Sequence, residues 1–149
     1  MSTGTEPRTL LTVTEINALI DATFPGIHAH GRWLHIESVA ERSADVRMSA
    51  VASAIRPGGT ISGPAMFTLA DFAIYAALIG TLGAPAIAAV TSNLNITFLL
   101  RPEAVDVMAH ARIIRLGRRL AYADVELISV GKTDMIAHAT GTYALPRSS

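Results

Sequence analysis

Between Thr12 and Thr23 the apolar residues Ile16, Leu19 and Ile20 recur on one face at helical spacing, and Thr12 or Thr14 can cap the first turn. Phe24-Pro25-Gly26 stops that helix. Two strands are expected next, near Arg32–Ser38 and Ala44–Val51. In the second, Val46, Met48 and Ala50 alternate with Asp45, Arg47 and Ser49, the period of a half-buried strand. From Arg56 to Pro64 glycine and proline crowd together, which excludes a regular element there. Pro64 suits the first turn of a helix, where its missing N–H costs nothing. The pattern predicts helix over Ala65–Ile79, apolar on nearly every side and therefore buried on every side. Its alanines (Ala65, Ala70, Ala73, Ala76, Ala77) let a sheet approach closely.

After a turn from Gly80 to Pro85, four strands are expected in succession: Val90–Leu99, Val105–Arg115, Leu120–Ser129 and Met135–Ala144. Leu94, Ile96 and Phe98 alternate with Asn93, Asn95 and Thr97 in the first of them. The one-sided faces of the last three are mostly small or branched: Val105, Val107, Ala109, Ala111 and Ile113, then Ala121, Ala123, Val125 and Leu127, then Met135, Ala137, Ala139, Gly141 and Tyr143. Turns at Gly117-Arg118-Arg119 and Gly131-Lys132-Thr133 imply an antiparallel meander with short hairpins. The fold class is therefore α+β, an antiparallel sheet wrapped around one long central helix. The 149 residues suit a single domain, with residues 1–8 polar, expected to be disordered and without the apolar run of a signal peptide.

Composition adds three constraints. Hydrophobic residues make up 50% of the chain and charged ones 16%, below the roughly 25% of globular proteins, which points to a surface covered by further copies in a homo-oligomer. The net charge is zero, which argues against a nucleic-acid binder. There is no cysteine, so disulfides, thiolate metal sites and a cysteine nucleophile are excluded, in keeping with a cytoplasmic location. The greasiest stretch, Ala73 to Val90, is broken by Gly80, Thr81, Gly83 and Pro85 and reads as a buried helix with a turn and a strand rather than a membrane span.

Against this background one residue is out of place. Asp71 lies inside the apolar helix, and an isolated buried carboxylate costs several kcal/mol. It lies about two turns past the helix start, too far to cap it, and no Lys or Arg occurs between Arg56 and Arg101. Chemistry is the favoured reason for keeping it, with a structural hydrogen bond to another strand as the competing one. The helix leaves a Gly-rich loop at Gly63, where a free N–H makes a positive pocket for an oxyanion. Gly63 and Asp71 are eight residues apart, roughly 12 Å along a helix, so one chain does not bring both to a single carbonyl. Two antiparallel copies would.

Ser62-Gly63-Pro64-Ala65-Met66-Phe67-Thr68-Leu69-Ala70-Asp71 resembles the His-Gly-Gly-x-x-x-x-Leu-Ala-Asp signature of the phenylacetate-type (PaaI-like) hotdog thioesterases, and the segment from Thr91 through Asn93 to Leu99, with Pro102, looks like their next strand. The resemblance runs over roughly residues 30–145. It implies hydrolysis of acyl-CoA thioesters in a homodimer or dimer-of-dimers tetramer, with Asp71 as general base or nucleophile. It also implies that the Gly63 N–H polarises the carbonyl and that Thr91 or its neighbour Ser92 holds the attacking water. No metal or cofactor is implied beyond the coenzyme A of the substrate. Three positions depart from the family: Ser62 stands where it has His, Pro64 where it has the second Gly, and Arg56 near its Asn or Gln. The oxyanion site is then built with Arg56 or Ser62 as substitute donors, or it is impaired.

Arg112, Arg115, Arg118 and Arg119 cluster at one hairpin, and the resemblance places CoA phosphates near such a turn; Arg118 and Arg119 are the best candidates, because guanidinium forks suit phosphate oxygens. The five histidines (His28, His30, His35, His110, His138) lack metal-ligand spacing and read as surface or satisfied residues. Ser62 lacks a Gly-x-Ser-x-Gly elbow, so a serine nucleophile is disfavoured. Phe67, Phe72 and Tyr75 hint at a fatty or aromatic acyl group, or belong to the core. A non-catalytic acyl-CoA-binding module is the alternative function. A hydratase comes third and would require a histidine beside Asp71.

Overall fold

Helix α1 (Val13–Thr23) opens on a reciprocal cap: the Thr12 Oγ1 accepts from the Glu15 N–H at 3.2 Å while Glu15 accepts from the Thr12 N–H at 2.9 Å. Ile16 and Ile20 are the face it buries. The computed structural model describes residues 11–29 and 31–147; the tail at residues 1–8 and His30 lie outside the described residues. After α1 come β1 (Leu34–Ala40) and β2 (Ser43–Met48), then a two-rung ribbon of β3 (Ile55–Arg56) and β4 (Thr60–Ile61). That ribbon corrects the expectation of irregular chain: Gly58 and Gly59 take positive φ, closing a turn tight enough for Ile55 to pair with Ile61 and Arg56 with Thr60.

Helix α2 (Gly63–Leu82) is the long central element and extends past the predicted boundary at Gly80. Gly80 stays helical because the space beside it is occupied. A Cβ there would lie 3.3 Å from the Ile16 Cδ1 and 3.6 Å from the Val39 Cβ, so its missing side chain lets α1 and β1 press on the helix. The helix ends instead at Gly83, whose φ is +83°. By length and composition α2 could cross a bilayer, but it is mostly buried inside the protein.

The remaining strands are β5 (Val90–Phe98), β6 (Val107–Leu116), β7 (Leu120–Ser129) and β8 (Met135–Ala144). They join β1 and β2 in one antiparallel sheet of order β1-β2-β6-β7-β8-β5. The expected meander holds for β6-β7-β8, whereas β5 crosses over to pair with β8 and becomes an edge. Between β5 and β6 the chain is a loop containing the buried Pro102, not a two-residue hairpin, so the two strands are not obliged to be neighbours. From Val107 and Ala137 onward the inward faces are those the alternation predicts, with Ala109, Ala111, Ala123, Ala137 and Ala139 all buried, whereas Val105 is exposed before β6 begins and the register shift beside Met135 buries Ile136 instead. Against them lie Leu69, Ile74, Leu78 and Ile79 of α2, each fully buried, at roughly 1.5–3 kcal/mol of hydrophobic stabilisation per side chain.

Two features of the β5–β8 pair set its position against α2. Gly141 of β8 faces α2, and a Cβ there would lie 2.8 Å from both the Ile74 Cδ1 and the Leu94 Cδ1. In β5 a bulge falls between Thr91 and Asn93: Thr91 pairs with Tyr143, Asn93 with Thr142 and Leu94 with Gly141. The extra residue, Ser92, shifts the strand's parity, so Thr91 and Leu94 both face the helix.

Candidate active site

Asp71 sits one turn before Tyr75 on the stretch of α2 that passes under the start of β5 and the end of β8. Residues directly opposite in a ladder share a face, and the pair Thr91–Tyr143 therefore points two hydroxyls the same way. Both donate to one oxygen of Asp71: Thr91 Oγ1 to Oδ1 at 2.8 Å and the Tyr143 hydroxyl to Oδ1 at 2.6 Å. The Tyr143 hydroxyl also lies 3.0 Å from the Asp71 carbonyl oxygen. Among the described residues Oδ2 has no hydrogen-bond partner. The half-buried Asp71 is held by hydroxyls rather than by a cation.

Tyr143 is 3% exposed. Burial, with the neighbouring Asp71 charge and hydrogen bond adding to it, pushes its phenol far above the usual range, against a smaller opposing hydrogen bond with Thr91. The neutral phenol is a donor to Asp71. Its ring stacks on Tyr75 (centroids 6.3 Å apart, planes at 20°), and Tyr75 packs edge-on against Phe24 at 6.3 Å. The Tyr75 hydroxyl donates to the Ile87 carbonyl at 2.8 Å, and burial raises its pKa too.

These residues line a cavity of about 610 Å³, a size that suits a small organic group. Its polar end is Asp71, Thr68, Thr91 and Tyr143; its apolar walls include Phe24, Ile27, Phe72, Tyr75 and Ile87. Phe72 and Tyr75 thus serve the pocket as well as the core, while Phe67 is largely exposed and does not line it.

Gly63 lies elsewhere, in a second hollow of about 520 Å³ shared with Arg56, Met66, Phe98 and Arg101. Ser62 is the cap of α2: its Oγ accepts from the Ala65 N–H at 3.1 Å, its carbonyl from the Met66 N–H at 3.1 Å, and Pro64 has no N–H to offer. Gly63 is left with the one N–H of that first turn that has no acceptor among the described residues. Phe98 packs beside Gly63, the site of a Gly63 Cβ being 3.2 Å from the Phe98 Cζ.

The structure therefore gathers Asp71 and Thr91 in one cavity and Gly63 and Arg56 in another. Ser92 turns to the Thr142 carbonyl at 3.2 Å, away from Asp71, and Asn93 accepts from the Asn95 side chain at 2.9 Å on the outer face. Arg118 and Arg119 are exposed in the β6–β7 turn, next to the row Leu120–Ala144–Val90, so they share the sheet end that carries Tyr143 and Thr91. Arg112 is engaged with Asp124 at 3.5 Å. His35, His110 and His138 contact Ser49, Asp45 and Asp124, and His28 has a buried Nδ1 without a partner. Among the described residues no histidine lines the Asp71 cavity, and no group of three or more His, Asp or Glu is placed to hold a metal. Sequence reasoning missed Tyr143 as a site residue. The available signal was its position at the end of an otherwise small inward face.

Residues 58–136 match the Thioesterase superfamily. Over its length the chain is similar to a candidate thioesterase of Silicibacter sp. TM1040, with 34% identity, 93% of this chain and 94% of that one covered, and a TM-score of 0.82. It is similar to a variant of the phenylacetic acid degradation protein PaaI of Thermus thermophilus, at 28% identity over 82% of this chain and 99% of that one, with a TM-score of 0.67. A candidate esterase of Thermoplasma acidophilum is 27% identical over 112 residues, 75% of this chain and 83% of that protein. The fold is thus a hotdog, and the chain belongs to the Thioesterase superfamily. Its activity is the hydrolysis of acyl thioesters.

Proposed function

We propose that the chain hydrolyses acyl-CoA thioesters to the free acid and CoA in a site completed by a second copy of itself. The observation that carries this reading is the course of β5. Its Thr91 end touches Asp71 and its Phe98 end lies beside Gly63. β5 is an edge strand with no charge and no proline between Val90 and Phe98, both of which are more than half exposed. Such an edge pairs with another chain unless it is protected. Antiparallel pairing of two β5 strands sets the Thr91 end of one against the Phe98 end of the other. Asp71 of one copy then faces Gly63 of the second, the pairing that eight residues of helix forbid within one chain.

In that site the acyl group occupies the aromatic cavity. Oδ2 of Asp71 takes a proton from a water, whose oxygen bonds to the thioester carbon. The carbonyl oxygen becomes an oxyanion held by the Gly63 N–H, with Arg56 as a nearby cation. Collapse breaks the C–S bond, and the departing CoA sulfur takes the proton back from Asp71. Asp71 attacking directly as nucleophile would use the same oxygen. Arg118 and Arg119 supply guanidinium groups for the CoA phosphates at the Asp71 end of the sheet. Asp71→Asn tests the reading: it keeps both hydroxyl contacts through its amide oxygen, so the fold survives. Turnover of a panel of acyl-CoA esters should fall about 10²–10⁴-fold. Wild-type turnover by this variant would refute the role of the acid.

A further inference from the structure

The two hydroxyls on Asp71 fall on the same oxygen, and that asymmetry has a mechanistic meaning. A carboxylate at the mouth of a pocket can rotate about its last bond and exchange its oxygens. Here Oδ1 accepts from Thr91 at 2.8 Å and from Tyr143 at 2.6 Å, while Oδ2 is left without a partner among the described residues. We propose that Tyr143 is a positioning residue which, together with Thr91, anchors Oδ1 and thereby commits Oδ2 of Asp71 to the reaction. This inference rests on the acid–base reading of Asp71 above and adds to it the group that aims the acid.

Three features fit Tyr143 to that task. Its hydroxyl reaches both the side chain and the backbone carbonyl of Asp71, so it fixes the carboxylate relative to the helix rather than following it. Its ring is braced: Tyr75 stacks on it, and Tyr75 is itself tied by its hydroxyl to the Ile87 carbonyl and flanked by Phe24. Its ladder partner is Thr91, so one rung of the β5–β8 pair delivers both donors. A catalytic group held to within about half an ångström of its productive geometry reacts faster than one that wanders, and small misplacements cost up to about 10²-fold.

The test compares Tyr143→Phe, Thr91→Val and Thr91→Ser with the wild type on the acyl-CoA ester it turns over best. kcat, KM and the melting midpoint are measured for each, and Asp71→Asn is run alongside. Tyr143→Phe keeps the stacked ring and loses only the hydroxyl. It should lower kcat about ten- to a hundredfold, with KM changed by less than about twofold and the fold intact. Thr91→Val should lower kcat in the same manner, and Thr91→Ser, which keeps a hydroxyl, should restore it. A purely structural hydrogen bond would move the melting midpoint and leave kcat alone. If Tyr143→Phe turns over at the wild-type rate while Asp71→Asn is inactive, the positioning role of Tyr143 is overturned and the acid's role stands, whatever Thr91→Val does. If Asp71→Asn is itself fully active, both fall. Should Tyr143→Phe fail to fold, the Thr91 pair decides: a slow Val variant beside a normal Ser variant supports the anchoring of Oδ1, and a normal Val variant overturns it.

Discussion

Replacing Gly63 by proline removes a single N–H from the proposed site, at the cost of setting a ring directly before Pro64, where a residue with a Cβ is disfavoured in helical conformation. Proline is favoured in the first turn of a helix, and Gly63 is the first residue of α2. A proline requires extended backbone before it, and Ser62 already has φ −75° and ψ 151°. The Gly63 N–H has no acceptor among the described residues, so no hydrogen bond of the fold is lost. The added ring meets Phe98, with the Cβ position 3.2 Å from its Cζ, so that side chain must give by a few tenths of an ångström. Gly63→Ala imposes the same contact and keeps the N–H, and so isolates the donor from the bulk. Losing one oxyanion donor costs about 10²–10³ in kcat, or roughly 2.7–4 kcal/mol of transition-state stabilisation. Steady-state hydrolysis of an acyl-CoA ester should therefore show Gly63→Ala near wild type and Gly63→Pro slower by that factor, with melting midpoints measured to show that both variants fold. Subunit mixing then tests where the donor acts. When Asp71→Asn and Gly63→Pro proteins are unfolded together and refolded, half of the dimers are mixed. Each mixed dimer holds one site with both lesions and one with neither, so about a quarter of wild-type activity returns. Equal rates for the alanine and proline variants would refute the donor role, and a mixture as inactive as its components would refute a site shared across the dimer.

Gly141→Ala places a methyl 2.8 Å from two others in a packed layer, an overpacking of about 1–3 kcal/mol set against roughly 0.5–1 kcal/mol gained by leaving glycine in a strand. The net cost is then about 0–2.5 kcal/mol, so the melting midpoint should fall by up to roughly 10 °C, and a midpoint raised above wild type would contradict the close contact. Asp106 is the clearest pH-linked ion pair: the Ala50 N–H donates to its Oδ1 and Arg47 to its Oδ2, each at 2.8 Å. These partners, the backbone N–H first, hold its carboxyl below the ordinary value of 3.8. A carboxylate with a depressed folded pKa adds stability that is present above its unfolded value and lost as pH falls through its folded value. Asp106→Asn should therefore lower the melting midpoint at neutral pH, with the gap to wild type closing below about pH 4. A gap that persists or widens in acid would count against the pair.

The fold was legible because its strongest features are one-dimensional. A helix apolar on every side can only be central, and the alternation of β6, β7 and β8 named their inward faces residue by residue. What the pattern could not carry was pairing. Nothing in Val90–Phe98 states that its neighbour is β8 rather than β6, because both candidates offer small inward faces and the loop that carries Pro102 is long enough to allow either. Helix ends were misplaced for a related reason. Gly80 reads locally as a stop, but the methyls of Ile16 and Val39, far away in sequence, make it a packing glycine.

The site divides along the same line. Asp71 and Gly63 stood out because each violates its surroundings, a carboxylate in a greasy helix and a glycine at a helix start, and such violations are visible without coordinates. Tyr143 violates nothing: a tyrosine at the end of an inward strand face is ordinary, and its meaning arises only when the β5–β8 register sets it across from Thr91. That register in turn depends on the bulge at Ser92. Strict alternation would put Thr91 on the outer face with Asn93 and Asn95 and aim Ser92 at the helix; the extra residue exchanges them, sending the Ser92 hydroxyl to the Thr142 carbonyl and the Thr91 hydroxyl to Asp71. One inserted residue in an edge strand thus decides which of two adjacent hydroxyls reaches the acid.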